Sequence, residues 1–159
     1  MTPQERMEKI IDNVINYTKS DNGSGIIKMM NPSFLRCSHE NLQLEIKYRI
    51  ESWELNPQKS MHGGLLCAAF DNTFGMLTHY VADNNFITTV DIATRFLKPI
   101  TEGDDLIIRA KINSHGRTLV SMTGEAVIEN KNLVAATSSA TFMILRGKET
   151  QINSLHNIK

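Results

Sequence analysis

The sequence predicts an α+β domain in which antiparallel strands pack against one long helix. Residues 42–50 alternate between apolar and polar side chains, as a half-buried strand does. An apolar run of helical character extends from about residue 63 to 82, and further strand-like runs follow it. A sheet with one long helix buries its apolar face against that helix, and this arrangement defines the class.

The N-terminal segment predicts a short amphipathic helix. Thr2 is suited to cap it, Pro3 to occupy its first position, and Glu5 to complete a capping box. The residues at helical spacing that would face the domain are Met7, Ile10, Ile11, Val14 and Ile15. The polar segment 20–25 ends this helix, and residues 26–32 are expected either to line a pocket or simply to connect.

The strands are predicted from alternation and from the turns between them. Strand pattern begins at about Phe34, and a hairpin turn is expected at 39–41. After the long helix, four more strands are predicted at about 86–98, 103–115, 117–129 and 133–145. We therefore expect an N-terminal helix and connector over 1–33, one compact domain over 34–146, and a polar tail over 147–159.

Composition excludes several classes of function. The 17 Lys and Arg residues balance 17 Asp and Glu residues, which gives no reason to expect a nucleic acid or an anionic membrane as partner. Neither the two cysteines nor the five histidines have metal or redox spacing. No segment has the pattern of a signal peptide or a membrane span. We expect reduced thiols and a cytoplasmic protein.

The chemistry is predicted to lie at the start of the long helix. Gly63 and Gly64 follow His62 there, and the first N–H groups of a helix have no partner within it. Together with the helix dipole, such groups can hold a carbonyl oxygen or a developing oxyanion. The side-chain amide of Asn56 could contact the same carbonyl or order a water molecule.

Asp71 is a carboxylate inside the apolar helical run, where poor solvation would favour a role as base or nucleophile. It follows Gly64 by seven residues, or roughly 10 Å of helix. If both belong to one site, Asp71 must therefore come from a second copy of the chain. The alternative is an ordinary glycine-rich helix start and a solvated or paired Asp71.

The ordered set of these residues resembles the hot-dog-fold thioesterases of the phenylacetate-pathway and thioesterase-superfamily-member type. The resemblance extends from about Phe34 to Leu145. It includes Asn56, His62-Gly63-Gly64, Asp71, Thr88-Thr89-Val90-Asp91-Ile92, Phe96-Leu97-Lys98-Pro99, Gly116-Arg117 and the strand from Leu133 to Phe142.

The resemblance implies a role for each matching residue. Gly63 would donate its backbone N–H to the thioester carbonyl, with Asn56 nearby and His62 shaping the loop. Asp71 of the partner subunit would act as base or nucleophile, and Thr89 would help to hold the attacking water. Basic residues near strand ends, Lys98, Arg117 and Arg146, are candidates for binding the phosphates of coenzyme A.

We therefore expect an acyl-CoA thioesterase that needs no metal or redox cofactor and uses coenzyme A only as part of its substrate. It would be a homodimer, or a homotetramer built as a dimer of dimers, with shared active sites. The alternative is a non-catalytic hot-dog protein that binds an acyl-CoA or an acyl carrier, although such a protein has no evident use for Asp71. The sequence does not specify which acyl group the substrate carries.

Overall fold

The computed structural model describes residues 1–149. Its helices are α1 (Pro3–Lys19), α2 (Gly25–Met30) and α3 (Gly63–Val81). Its strands are β1 (Ser33–Ser38), β2 (Gln43–Arg49), β3 (Asn85–Phe96), β4 (Asp105–His115), β5 (Leu119–Ile128) and β6 (Leu133–Glu149). Two short 3-10 turns occupy Ser52–Glu54 and Glu129–Lys131.

The α+β class predicted from the sequence is confirmed. All six strands form one antiparallel sheet in the order β1-β2-β4-β5-β6-β3. Strand β6 continues to Glu149, past the domain boundary expected at residue 146. The remainder of the predicted polar tail, residues 150–159, lies outside the described residues.

Helix α3 lies on the inner face of the sheet and forms the centre of the core. Phe70, Phe74 and Leu77 are fully buried on it. The hydroxyl group of Tyr48 on β2 lies 3.0 Å from that of Thr73 on α3, so a hydrogen bond joins helix and sheet inside the core. The sheet therefore holds α3 in a fixed position, and both ends of this helix become defined places on the domain.

Helix α1 packs on the domain as predicted. Thr2 and Glu5 form the expected capping box, in which the Glu5 N–H donates to Thr2 Oγ1 over 3.2 Å and the Thr2 N–H donates to Glu5 Oε2 over 2.7 Å. The hydrogen bond from the Thr2 N–H to the Glu5 carboxylate also lowers the pKa of Glu5. The five residues at helical spacing are all buried: Met7, Ile10, Ile11, Val14 and Ile15.

Residues 26–32, which were expected either to line a pocket or simply to connect, include most of the short helix α2. Met30 at its end is buried, and Ile27 lines a cavity beside α3. This segment is therefore part of a pocket wall.

Strand β3 forms one edge of the sheet and pairs only with β6 among the described residues. Its pairing shifts between Thr89 and Asp91, which leaves Val90 in a bulge. Val90, Phe96 and the following Leu97 are each more than half exposed. A long edge strand with exposed apolar side chains is a template for pairing with another chain. Within residues 1–149, no helix combines the length and apolar character needed to cross a membrane.

Candidate functional site

The first half of the candidate site is the start of α3. His62 is the N-cap residue of this helix, and its Nδ1 accepts a hydrogen bond of 3.0 Å from the Gly64 N–H. A ring nitrogen that accepts from an amide carries no proton, so the neutral His62 ring has its proton on the exposed Nε2. A Cβ atom on Gly64 would lie 3.1 Å from the His62 ring. Glycine at position 64 thus gives the capping ring its space.

Gly63 is the first residue of α3, and its N–H has no hydrogen-bond partner among the described residues. The neighbouring Gly64 N–H is taken by His62, so Gly63 alone of the two glycines offers a free amide. A free N–H at the positive end of a helix can stabilise negative charge on an oxygen atom. The Phe96 ring lies close to Gly63, where an added Cβ would be 3.2 Å from Phe96 Cζ.

The side chain of Asn56 holds the loop before α3. Its Oδ1 accepts from the N–H groups of Gln58 and Ser60, at 3.0 and 3.2 Å, and its Nδ2 donates to Ser60 Oγ over 3.0 Å. The carbonyl of Glu54 accepts from the His62 N–H over 2.8 Å. Asn56 therefore shapes the loop, and the second N–H of its amide is the group that could reach a ligand.

A groove with a volume of about 330 Å³ opens at this end of α3. Asn56 and Gly63 line one side, and residues 96–100, which include Lys98, line the other. Lys98 is exposed. The groove thus combines the free backbone N–H of Gly63, the side-chain amide of Asn56 with one N–H available, and the cation of Lys98.

The second half of the site surrounds Asp71. Thr89 on β3 donates its hydroxyl hydrogen to Asp71 Oδ1 over 2.7 Å. Asp71 is half-buried, whereas Thr89 is exposed. The second carboxylate oxygen of Asp71 has no hydrogen-bond partner among the described residues. The hydroxyl bond fixes the orientation of the carboxylate and leaves one oxygen available to accept a proton or attack a carbon atom.

Asp71 also lines a cavity of about 430 Å³ between α3 and the N-terminal helices. This cavity is distinct from the groove at Gly63, and the two share no lining residue. Gly63 and Asp71 are eight residues apart on one helix, which corresponds to about 12 Å. The structure therefore does not bring these two groups together within one chain.

The three basic residues proposed to bind phosphate lie at two places. Lys98 follows the end of β3 where Phe96 pairs with Ala136. Arg146 lies next to Leu145, which pairs with Phe86 at the other end of β3. Nine residues of β6 separate these pairs, or about 30 Å of strand.

Arg117 lies close to Arg146. It lies in the turn between β4 and β5, and its carbonyl accepts a hydrogen bond of 2.9 Å from Arg146 Nε. Arg117 and Arg146 are therefore on the Asp71 side of the domain, whereas Lys98 is on the Gly63 side.

Two residues in or near the site were not singled out as functional. His79 is buried and lines the Asp71 cavity. Glu54 is 1% exposed, and burial raises the pKa of its carboxyl group, although a bond from the Glu51 N–H opposes this shift. No local pattern in the sequence marks either residue as buried. Within residues 1–149, no three His, Cys, Asp or Glu side chains cluster as metal ligands would.

Comparison with known proteins gives a family match over the central part of the chain. Residues 58–135 match the model of the Thioesterase superfamily. No curated protein sequence matches the chain significantly. The matched range begins before the glycine pair and ends in β6, so it includes Gly63, Asp71 and Thr89.

Solved structures share the fold. The chain is similar to the Escherichia coli PaaI protein from the phenylacetic acid degradation operon, with 18% identity, a TM-score of 0.76, and coverage of 91% of this chain and 99% of that one. Zebrafish thioesterase superfamily member 2 gives 18% identity, a TM-score of 0.74, and coverage of 85% and 98%. A putative thioesterase from Ralstonia eutropha, a phenylacetic acid degradation-related protein, has 23% identity and a TM-score of 0.72. The match covers 85% of this chain and 99% of that one.

The antiparallel sheet around a central helix is the hot-dog fold, as the resemblance in the sequence implied. The family match covers Gly63, Asp71 and Thr89 and begins two residues after Asn56. The chain thus has the hot-dog fold, and residues 58–135 match the Thioesterase superfamily.

Proposed function

We propose that this protein is an acyl-CoA thioesterase whose active site is shared between two copies of the chain. The observation that carries the proposal is the division of the site: an oriented carboxylate and a free helix N-terminal amide lie on one helix but open into different cavities. Each half has a chemical use in thioester hydrolysis, and neither is sufficient alone.

The exposed edge of β3 supports a way to join the halves. Two copies of β3 that pair antiparallel about a two-fold axis near Ile92 would bring the Phe96 end of one copy beside the Thr89 end of the other. Gly63 lies against Phe96, and Asp71 is bonded to Thr89. The same pairing would therefore bring Gly63 of one copy close to Asp71 of the other, and it would cover exposed Val90.

The pairing would also bring the basic residues of the two copies close together. Lys98 of one copy lies beside its Phe96, so it would approach the strand end where Arg117 and Arg146 of the other copy lie. Coenzyme A carries phosphate groups that Arg and Lys bind well. The groove at Gly63 with its Lys98 would then hold the coenzyme A arm, while Asp71 of the other copy faces the thioester.

The chemistry follows from these positions. The Gly63 N–H and the dipole of α3 would stabilise the negative charge that develops on the carbonyl oxygen. Asp71 would either take a proton from water, whose oxygen then attacks the carbonyl carbon, or attack directly and form an anhydride that water hydrolyses. In both routes the carbon–sulfur bond breaks, the coenzyme A thiolate leaves and takes up a proton, and a free acid is released.

Thr89 serves both routes in this proposal. Its hydroxyl group holds one oxygen of Asp71 at 2.7 Å, so the other oxygen points to a fixed position. The role implied by the resemblance, holding the attacking water, requires the Thr89 hydroxyl oxygen to accept a hydrogen bond from that water while its own hydrogen is donated to Asp71.

The cytoplasmic location expected from the sequence stays a prediction.

The test is thiol release from a panel of acyl-CoA esters, followed with a chromogenic disulfide. We expect wild-type turnover on at least one ester and a loss of at least a hundredfold in kcat for Asp71→Asn, which keeps the shape but removes the base and nucleophile. Sedimentation of both proteins should show the same oligomer. Undiminished turnover by Asp71→Asn would refute the mechanism. Ester binding without turnover by the wild type would favour the non-catalytic binder.

A further inference from the structure

The cavity beside Asp71 has a shape and a lining that no step of the reaction requires. It extends along α3 from Asp71 past Gly75 to His79. These residues are successive positions on one helix face, so the cavity is about 12 Å long. Its opposite wall comes from α1 and from Ile27 of α2.

The lining excludes the coenzyme A arm from this cavity. Asp71 is the one Asp, Glu, Lys or Arg among its lining residues, so the cavity offers neither Lys nor Arg to the phosphates. Much of the wall is apolar and comes from Val14, Ile27, Met76, Ile87 and Phe142. An uncharged, mainly hydrocarbon group suits this surface.

Volume and length distinguish among acyl groups. The cavity has about 430 Å³, close to three times the roughly 150 Å³ of an apolar cavity that binds benzene. An acetyl group would leave most of it empty, and a single aromatic ring would fill only part of its length. An extended chain running two helical turns along α3 would fill it.

Gly75 keeps the middle of the cavity open. It lies one turn after Asp71, and an added Cβ would meet only Phe142 Cε1, at 3.8 Å, in ordinary van der Waals contact. Glycine in a helix interior costs roughly 1 kcal/mol relative to alanine. No packing contact in the described structure requires this glycine, so the space it leaves has another use.

We propose that this cavity binds a medium-length straight acyl chain, with Gly75 and the α1–α2 wall setting the accepted length. This inference rests on the thioesterase function proposed above. The acyl chain lies in the subunit that supplies Asp71, while the coenzyme A arm lies in the groove of the other copy. A side chain larger than alanine at position 75 closes the cavity about one helical turn from the reacting carbon.

The experiment compares kcat/KM for acetyl-, hexanoyl-, decanoyl-, palmitoyl- and phenylacetyl-CoA. In the wild type, hexanoyl- or decanoyl-CoA gives the highest value. In Gly75→Leu, the ratio of decanoyl to acetyl kcat/KM falls at least tenfold. Lys9→Leu adds the same side chain at an exposed position of α1 that does not line the cavity, and it leaves the ratio unchanged.

A second variant keeps the test independent of one substitution. Ile27→Trp fills the cavity from α2 and should lower the same ratio, which matters if thermal melting shows that Gly75→Leu is unfolded. A wild type that prefers acetyl-, phenylacetyl- or palmitoyl-CoA overturns the inference, as does an unchanged ratio in a folded filling variant. Failure to hydrolyse any ester would instead contradict the thioesterase function itself.

Discussion

The backbone amide of Gly63 can be removed with little change to the fold, which makes it the sharpest test of the proposed oxyanion site. Gly63 is the first residue of α3, where proline is favoured because its missing N–H would have no helical partner. His62 before it is extended, with φ −60° and ψ 128°, and proline requires such a conformation of the preceding residue. Gly63→Pro should therefore fold.

Gly63→Ala is the matched control. Both variants add a Cβ that would lie 3.2 Å from the exposed Phe96 ring, so both require the same small shift of that ring. Alanine keeps the N–H and proline lacks it. The difference between the two variants therefore reports on the amide position, where proline has its ring Cδ in place of the hydrogen, and not on the contact between Cβ and Phe96.

The expected magnitude follows from the role of the amide. Loss of one oxyanion donor costs about 10² to 10³ in kcat, or about 2.7–4 kcal/mol of transition-state stabilisation. The Gly63 N–H is the single free backbone donor at this helix start in the described structure, because His62 takes the Gly64 N–H. We expect Gly63→Pro to fall at least a hundredfold below Gly63→Ala in kcat.

The assay is thiol release with the best ester of the panel, at saturating concentration, after thermal melting has shown that both variants are folded. Values of kcat within tenfold of each other would refute the reasoning, because the amide would then contribute little to the transition state. A fall in affinity alone, with kcat unchanged, would assign the amide to substrate binding in the ground state.

Two further predictions test the shared site and a buried acid. Mixed and reassembled Asp71→Asn and Gly63→Pro subunits should recover about a quarter of wild-type activity, because half of randomly mixed dimers are mixed and each has one intact site of two; no recovery would contradict a site built across subunits. The raised pKa of Glu54 means that its ionisation disfavours the folded state, so its stabilising contribution is complete below the ordinary value of 4.5 and is lost as pH rises through the folded pKa. Relative to wild type, the melting temperature of Glu54→Gln should therefore rise as pH increases above 4.5, and a difference independent of pH would show that this carboxyl does not titrate abnormally.

Local patterns in the sequence were sufficient to predict α1, α3 and the strands, but not the short helix α2. The capping box at Thr2 and Glu5 and the helical spacing of α1 depend on residues close in sequence, and the structure confirms both. The alternation in residues 42–50 likewise predicted β2, because side-chain direction in a strand has a period of two. The resemblance to hot-dog thioesterases correctly implied how these elements assemble.

The candidate site was predictable in its members but not in its contacts. Gly63, Asp71 and Thr89 could be named from the sequence, and helix geometry alone separated Gly63 from Asp71. The bond from Thr89 to Asp71, however, joins residues 18 positions apart on different elements. The placement of Lys98 on one side of the domain and Arg146 on the other also depends on pairing between β3 and β6.

The sequence by itself determined which faces are buried and which residues are candidates for the chemistry, because periodicity, capping and residue type act over a few positions. Only the tertiary structure decided that β3 is an edge, that His79 is buried, and that α1 and α2 form the wall of a cavity along α3. The physical reason is that hydrophobic burial is non-directional. A pattern specifies that a side chain is buried, whereas strand order and packing specify what it is buried against.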